Sequence, residues 1–292
     1  MSLPAVLVAT DLGASADEAI RQAHALAMRD GAPLAVLHVV PNLLRDDPVL
    51  KQSGSETFRD VTSTVEAVRA EVEARVQAAS GRAPGEFALT VEEGSPATVI
   101  VAHAEELRAA LVVIGAGSRD DKGLGRIGTH VIRHAHGPVL VARPVDDRRG
   151  ILVATDFSDP SLPAVAAAAA EASSTREPLA ILHSIELFST LPAGPLEVPI
   201  VLPDELRQEY RANVQRQLVE ALERHHTTGE RLVFEGPADV AILQAAEERG
   251  TRLVVIGTVG KSGLRRLLLG SVAEYVARHA GCSVLIVRIH RP

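Results

Sequence analysis

The stretch AVLVATDL at residues 5–12 returns as GILVATDF at residues 150–157, and this recurrence decides the fold. Asp11 and Asp156 stand 145 residues apart, and the same interval separates His38 in AVLHVV (35–40) from His183 in AILHSI (180–185). RHA at 133–135 returns at 278–280, and VLVAR at 139–143 returns as VLIVR at 284–288. Between them RAALVVIGAG (108–117) answers to GTRLVVIGTV (250–259), with Gly115 and Gly257 142 residues apart. The order is kept through both halves, and the interval is far longer than a solenoid unit. A whole domain has been duplicated.

Within each copy, short apolar β-branched runs alternate with longer helical patterns. The first copy predicts strands at 5–10, 34–39, 88–92, 111–115 and 139–142; the second at 151–155, 179–183, 232–235, 253–257 and 284–287. Near-continuous apolar strands are buried on both faces, as in a parallel sheet between helices. Ala19, Ala23, Leu26 and Ala27 share one helical face, with Glu18 and Arg21 elsewhere. Segments 56–79 and 204–225 read as longer, more polar helices with a single buried stripe. Five such strands with right-handed crossovers give a doubly wound α/β sheet in each copy. The expected domains are residues 1–145 and 150–292, joined by the charged linker 144–149.

Composition narrows the function. The chain has 292 residues, 46% of them hydrophobic and 23% charged, enough for two cores. A net charge of -7 and the absence of Trp speak against a nucleic-acid partner. Residues 2–10 lack the features of a signal peptide, and the apolar runs are strand-sized, so no membrane partner is expected. Cys282 stands alone, which excludes an intrachain disulfide and fits a reducing compartment.

The chemistry concentrates where the fourth strand of the second copy runs into GTVGKSGLRRLLLGSVAE, residues 257–274. Gly257 and Gly260 let the backbone turn tightly and approach a ligand without a Cβ. Gly270 and Ser271 then open a helix, whose free N–H groups and partial positive charge attract phosphate. Lys261, Arg265 and Arg266 add positive charge. Ligands of open α/β sheets sit beyond the carboxyl ends of the strands where the winding reverses, which places Asp156 in the same crevice if strands one and four are neighbours. Asp156 there either accepts hydrogen bonds from ribose hydroxyls or serves to start the turn, as Ser158 and Asp159 do equally well.

Other motifs fail on context. Gly260-Lys261-Ser262 resembles the end of a P-loop, but Val255 occupies the place of its first glycine. Gly123, Gly125 and Gly128 match GxGxxG, yet eight residues separate Gly123 from the strand end at Gly115. His38 and His183 recur at the end of strand two as a packing feature, and His225-His226 closes a helix. No Cys/His pair has zinc-site spacing, so no metal site is expected, and no Ser/His/Asp set forms a nucleophile elbow.

The 257–271 glycine spacing, VATDFS at 153–158 and the closing SVAEYVARHAGCSVLIVR at 271–288 resemble the universal stress protein family. The resemblance spans nearly the whole chain, as two tandem copies. It implies Rossmann-like sheets of order 3-2-1-4-5, ATP or AMP binding in one subclass (with Mg where ATP is bound), and cytoplasmic stress-response proteins that pair through their last strands. Carried over by position, Asp156 would meet the ribose with Ala154 and Thr155 nearby. Ser184, just past strand two, would lie beside adenine. Ile256, Gly257, Val259 and Gly260 would line the turn, and Gly270, Ser271 and Val272 would meet the phosphates. Hydrolysis needs a positioned base or a metal-ligand set, and neither stands out, so no catalytic residue is named and at most weak ATP hydrolysis is expected.

The first copy departs from this pattern. Ser118 replaces the second glycine, and Asp120 and Asp121 offset the basic residues of the loop. One register places Gly128-Thr129 at the final Gly-Ser; the other, preferred because Ile127 and Val131 then match Val272 and Val276, places Gly125-Arg126 there. A weaker first-domain site would use Asp11, Val39, Gly115, Gly125 and Arg126. The edge strands 139–142 and 284–287 are apolar and expected to pair the two domains as an intrachain pseudo-dimer, with a homodimer of chains left open. Two alternatives to a nucleotide-binding regulator stand: a scaffold for protein partners, and a slow ATPase.

Overall fold

The computed structural model describes residues 3–41, 61–116, 123–185, 190–193, 196–199, 203–258 and 269–288. They form two compact units, Met1–Pro144 and Val145–Pro292, here domains one and two.

Domain one contains β1 (Val6–Thr10), α1 (Ala14–Asp30), β2 (Leu34–Pro41), α2 (Val61–Ser80), β3 (Ala88–Gly94), α3 (Pro96–Glu106), β4 (Leu111–Gly115), α4 (Arg126–His134) and β5 (Val139–Ala142). All its strand pairs are parallel, and their order is 3-2-1-4-5. Domain two repeats the plan with β6 (Ile151–Ala154), α5 (Leu162–Thr175), β7 (Leu179–Ile185), α6 (Asp204–Glu223), β10 (Glu230–Glu235), α7 (Ala238–Glu248), β11 (Leu253–Gly257), α8 (Ser271–His279) and β12 (Ser283–Val287). Its parallel sheet has the same order. A short antiparallel pair, β8 (Thr190–Ala193) and β9 (Leu196–Pro199), follows β7.

Strand burial explains the apolar runs. Leu7, Val8 and Val113 in domain one, and Leu152, Val153 and Val254 in domain two, are wholly excluded from solvent. Each such side chain contributes about 1.5–3 kcal/mol relative to an exposed position. β3 and β10 are more exposed than the central strands, and they carry more polar residues: Thr90, Glu92 and Glu93 in one, Glu230, Arg231 and Glu235 in the other. Helices cover both faces: α1 packs on α2 and α3 on α4, and domain two repeats this with α5 on α6 and α7 on α8.

The expected strands all appear, with ends shifted by one or two residues, because ladder pairing rather than composition sets where a strand stops. In α1 the buried stripe is Ala16, Ala19, Ile20, Ala23 and Ala27; Leu26 is only half-buried. The helix closes on Gly31, whose φ of 64° is the left-handed conformation that glycine adopts without a Cβ penalty. α6 ends at Glu223, so His225 and His226 lie in the turn beyond it, where His226 itself takes a positive φ of 50°. The start of the expected helix at 56–60 lies outside the described residues.

Candidate functional site

In each domain the winding direction reverses between strand one and strand four. β1 lies directly beside β4, and β6 beside β11. Neighbouring strands are about 4.8 Å apart, so the chain segments leaving them start side by side. The strand adjacency on which the expected crevice depends is therefore present in both domains.

The strand-one turn is internally hydrogen bonded. In domain two the Thr155 hydroxyl accepts the Phe157 N–H at 3.0 Å and lies 2.9 Å from the Ser161 hydroxyl. Ser161 donates its own proton to the Ser158 carbonyl at 2.9 Å, so Thr155 is the donor between the two hydroxyls. Asp156 Oδ1 accepts both the N–H of Ser158, at 3.0 Å, and its hydroxyl, at 2.5 Å. Phe157 is thereby held at a φ of 61°, with its ring stacked on His183 at 4.5 Å. His183 Nδ1 sits 2.8 Å from the Thr155 carbonyl, which can only accept; Nδ1 therefore carries the proton. His38 makes the same bond to the Thr10 carbonyl at 2.9 Å, so the recurrent histidines pin strand one to strand two.

Strand four forms the opposite wall. Ile256 is buried and Gly257 ends β11. A Cβ on Gly257 would lie 2.8 Å from the Pro160 carbonyl oxygen, and one on Gly115 would lie 2.4 Å from that of Ser15. Both glycines are required by the close approach of the segment leading into α5 or α1, a role that sequence assigned to the ligand.

Beyond Thr258, the Gly270 N–H donates to the Thr258 carbonyl at 2.6 Å, which fixes the start of α8 at the mouth of β11. Gly270 caps this helix with φ −67° and ψ 152°, and no side chain caps it. The N–H groups of Ser271, Val272 and Ala273 have no partner within the helix, as in any first turn. Ser271 is exposed and Val272 half-buried. Val259, Gly260, Lys261, Arg265 and Arg266 lie outside the described residues.

Ser184 lies within β7 rather than past it, because ladder pairing with β10 continues to Ile185. Its hydroxyl donates to the Gly236 carbonyl at 2.6 Å, tying β7 to the turn where Gly236 holds a φ of 125°. The structure thus brings Ala154, Thr155, Asp156, Ile256, Gly257, Gly270, Ser271 and Val272 to the carboxyl-terminal edge of the sheet, where β6 and β11 end, with Ser184 on the neighbouring strand. A cavity of about 610 Å³ flanks this edge, lined by Phe157, Leu162, Tyr210, Val214 and Ala221, and takes no residue from β11 or α8.

Domain one keeps the plan with different chemistry. Asp11 Oδ1 accepts the Gly13 N–H at 2.9 Å, and Thr10 accepts the Leu12 N–H at 3.1 Å. Val39 is buried on β2. α4 spans nine residues from Arg126 with Gly125 as its cap, matching the nine residues of α8, so the 145-residue register holds. Gly128 lies inside the helix, where a Cβ would meet Leu124 Cδ1 at 2.2 Å; packing, not phosphate, explains it. Ile127, expected on the buried stripe, is 45% exposed, and Thr129, Val131 and Ile132 face the core instead. Ser118, Asp120 and Asp121 lie outside the described residues.

Sequence reading missed Phe157 and Ser161. The recurrence of Thr-Asp and of His at one interval was the available signal that strand one and strand two share a fastened turn.

The sequence profile of the Universal stress protein family matches residues 4–143 and again 148–288. Universal stress protein YxiE of Bacillus subtilis is 37% identical over 145 residues, 47% of this chain and 97% of its own length. A universal stress protein of Mycolicibacterium smegmatis is 28% identical over 307 residues, covering 97% of this chain and 96% of the relative. The crystal structure of a universal stress protein from Archaeoglobus fulgidus superposes with a TM-score of 0.66 at 19% identity, over 98% of this chain and 99% of that one. With two Rossmann-like domains of order 3-2-1-4-5 and the profile matched once in each, the chain belongs to the universal stress protein family.

Proposed function

We propose that domain two binds an adenine nucleotide, ATP or AMP, and that the chain acts through it as a cytoplasmic stress-response regulator. The observation that carries this reading is the start of α8, capped by Gly270 with no side-chain acceptor and held against β11 by the Gly270–Thr258 bond at the point where the sheet reverses. A helix start presents about half a positive charge together with unsatisfied N–H groups, a combination suited to phosphate. Gly270, Ser271 and Val272 would supply main-chain donors, and the Ser271 hydroxyl one more; Val259 and Gly260 would complete the turn. Asp156 would accept ribose hydroxyls, as an ionised carboxylate is an acceptor and this one stands just past the end of β6. Ala154, Thr155 and Ile256 would form the crevice floor, and Ser184 the adenine side. Mg²⁺ would accompany ATP.

In domain one, Arg126 at the helix start removes the serine hydroxyl, and Asp11, Val39, Gly115 and Gly125 would support weaker binding at most. Pairing of the domains through β5 and β12 belongs to the same reading, on the strength of their apolar sequences.

The test is to denature purified protein and identify released small molecules by mass spectrometry, together with thermal unfolding in millimolar ATP or AMP. Released adenine nucleotide, or a clear upward shift in Tm, is expected. A nucleotide-free protein with no shift favours a scaffold for protein partners instead.

A further inference from the structure

α4 and α8 carry the same surface feature with different chemistry. In α8, Tyr275 and His279 stack at a centroid distance of 4.1 Å and an interplanar angle of 32°. In α4, the equivalent residues are His130 and His134, at 4.1 Å and 33°. Residues four apart lie one above the other on a helix face, which accounts for both stacks. Only in domain one are both rings imidazoles.

We infer that His130 and His134 of α4 form a two-histidine site for a borderline divalent transition-metal ion such as Zn²⁺ or Ni²⁺. The i,i+4 spacing is the one by which a helix presents two ring nitrogens to a single ion. Imidazole nitrogens coordinate in the ring plane at about 2.0–2.1 Å, so the stacked pair, with centroids 4.1 Å apart, would turn about its side-chain bonds to share one ion. His134 is the last residue of α4, where the negative end of the helix dipole favours a cation. His134 is exposed and His130 half-buried, so an ion has access.

Arg133 opposes the ion electrostatically from the same turn. His136 pairs with Glu105 at 3.1 Å beyond the helix end. Among the described residues no set of three or more His, Cys, Asp or Glu side chains could hold a metal. With two histidines as the protein ligands, water would fill the remaining positions and the site would be weak and exchangeable. Sequence reading expected no metal because it sought Cys/His sets and passed over a pair of histidines.

The test is calorimetric titration of the full chain, free of any affinity tag, with ZnCl₂ and NiCl₂ near neutral pH. One saturable ion per chain is expected. His130→Tyr copies the pair that α8 already accommodates; it should weaken binding at least about tenfold with an unchanged Tm. His136→Ala should leave affinity within about twofold. Equal binding by wild type and His130→Tyr, or no saturable binding by wild type, overturns the inference.

Discussion

The turn after strand one is built twice, and the two versions share a backbone while differing in what fastens it. Leu12 and Phe157 both adopt a left-handed φ, 62° and 61°. For non-glycine residues this costs about 1–3 kcal/mol. Because domain one keeps the strained turn while Arg126 replaces the serine at its helix start, the strain belongs to the fold rather than to a ligand. The same holds for Gly115 and Gly257, which both make room for the segment entering the first helix. The differences are side-chain substitutions on a common frame. Ser158 and Ser161 supply hydroxyls in domain two where domain one has Gly13 and Ala16, and Phe157 covers His183 where domain one has Leu12.

The helices beside this turn differ as well. In domain one, Arg75 joins Asp17 through two hydrogen bonds, 2.6 and 3.0 Å, tying α2 to α1. Domain two has Leu162 at the position of Asp17, and the cavity of about 610 Å³ lies there between α5 and α6.

The shared frame is most sensitive at strand four. Gly115→Ala should destabilise domain one by about 2–3 kcal/mol, since the new Cβ meets backbone that cannot yield cheaply. Gly257→Ala should cost less, about 1–2 kcal/mol, because its contact is longer. Urea unfolding of both variants measures this, and equal or negligible losses would mean that the close approach is not what these glycines serve.

Asp156→Ala separates the domains by function. It should weaken nucleotide binding about tenfold, or roughly 1.4 kcal/mol, while Asp11→Ala leaves the stronger site unaffected. A fluorescent adenine nucleotide in equilibrium titration gives the comparison, and the reverse ranking would move the site to domain one.

The smallest effect is a pH dependence confined to domain one. Burial, and then the Arg82 guanidinium, hold His24 below the ordinary imidazole range. The folded value is below the unfolded one, so the contribution is present above the unfolded pKa and lost as pH falls below it. Stability should decline as pH falls below about 6.5, the ordinary imidazole value. His24→Gln should shallow that decline; an identical pH profile for wild type and variant would remove His24 as its source.

Much of this was legible in the sequence because duplication printed each strand twice. Strands 111–115 and 253–257 are apolar runs ending in glycine, and both were placed to the residue. The start of α4 was decided by matching apolar positions, and the helix confirms the register while exposing Ile127. The pattern failed there because Thr129 is buried with its hydroxyl returned to the Gly125 carbonyl at 3.0 Å, and hydrophobic periodicity cannot see a polar side chain satisfied in this way. The Ser161 contact and the Phe157–His183 stack depend on elements brought together by the fold. Composition carries no trace of them.

One nucleotide is expected to bind per chain, at the helix start of domain two. Gly270 and Gly125 both have extended backbone that valine adopts without strain, φ −67° and −68°. Loss on substitution would therefore not report backbone strain, and an unchanged Tm in the variant separates exclusion of the ligand from a damaged fold. Calorimetric titration of the full chain with ATP and AMP should give a single site, weakened about a hundredfold or more by Gly270→Val and unchanged by Gly125→Val. Undiminished affinity in Gly270→Val, or its loss in Gly125→Val, would contradict the account.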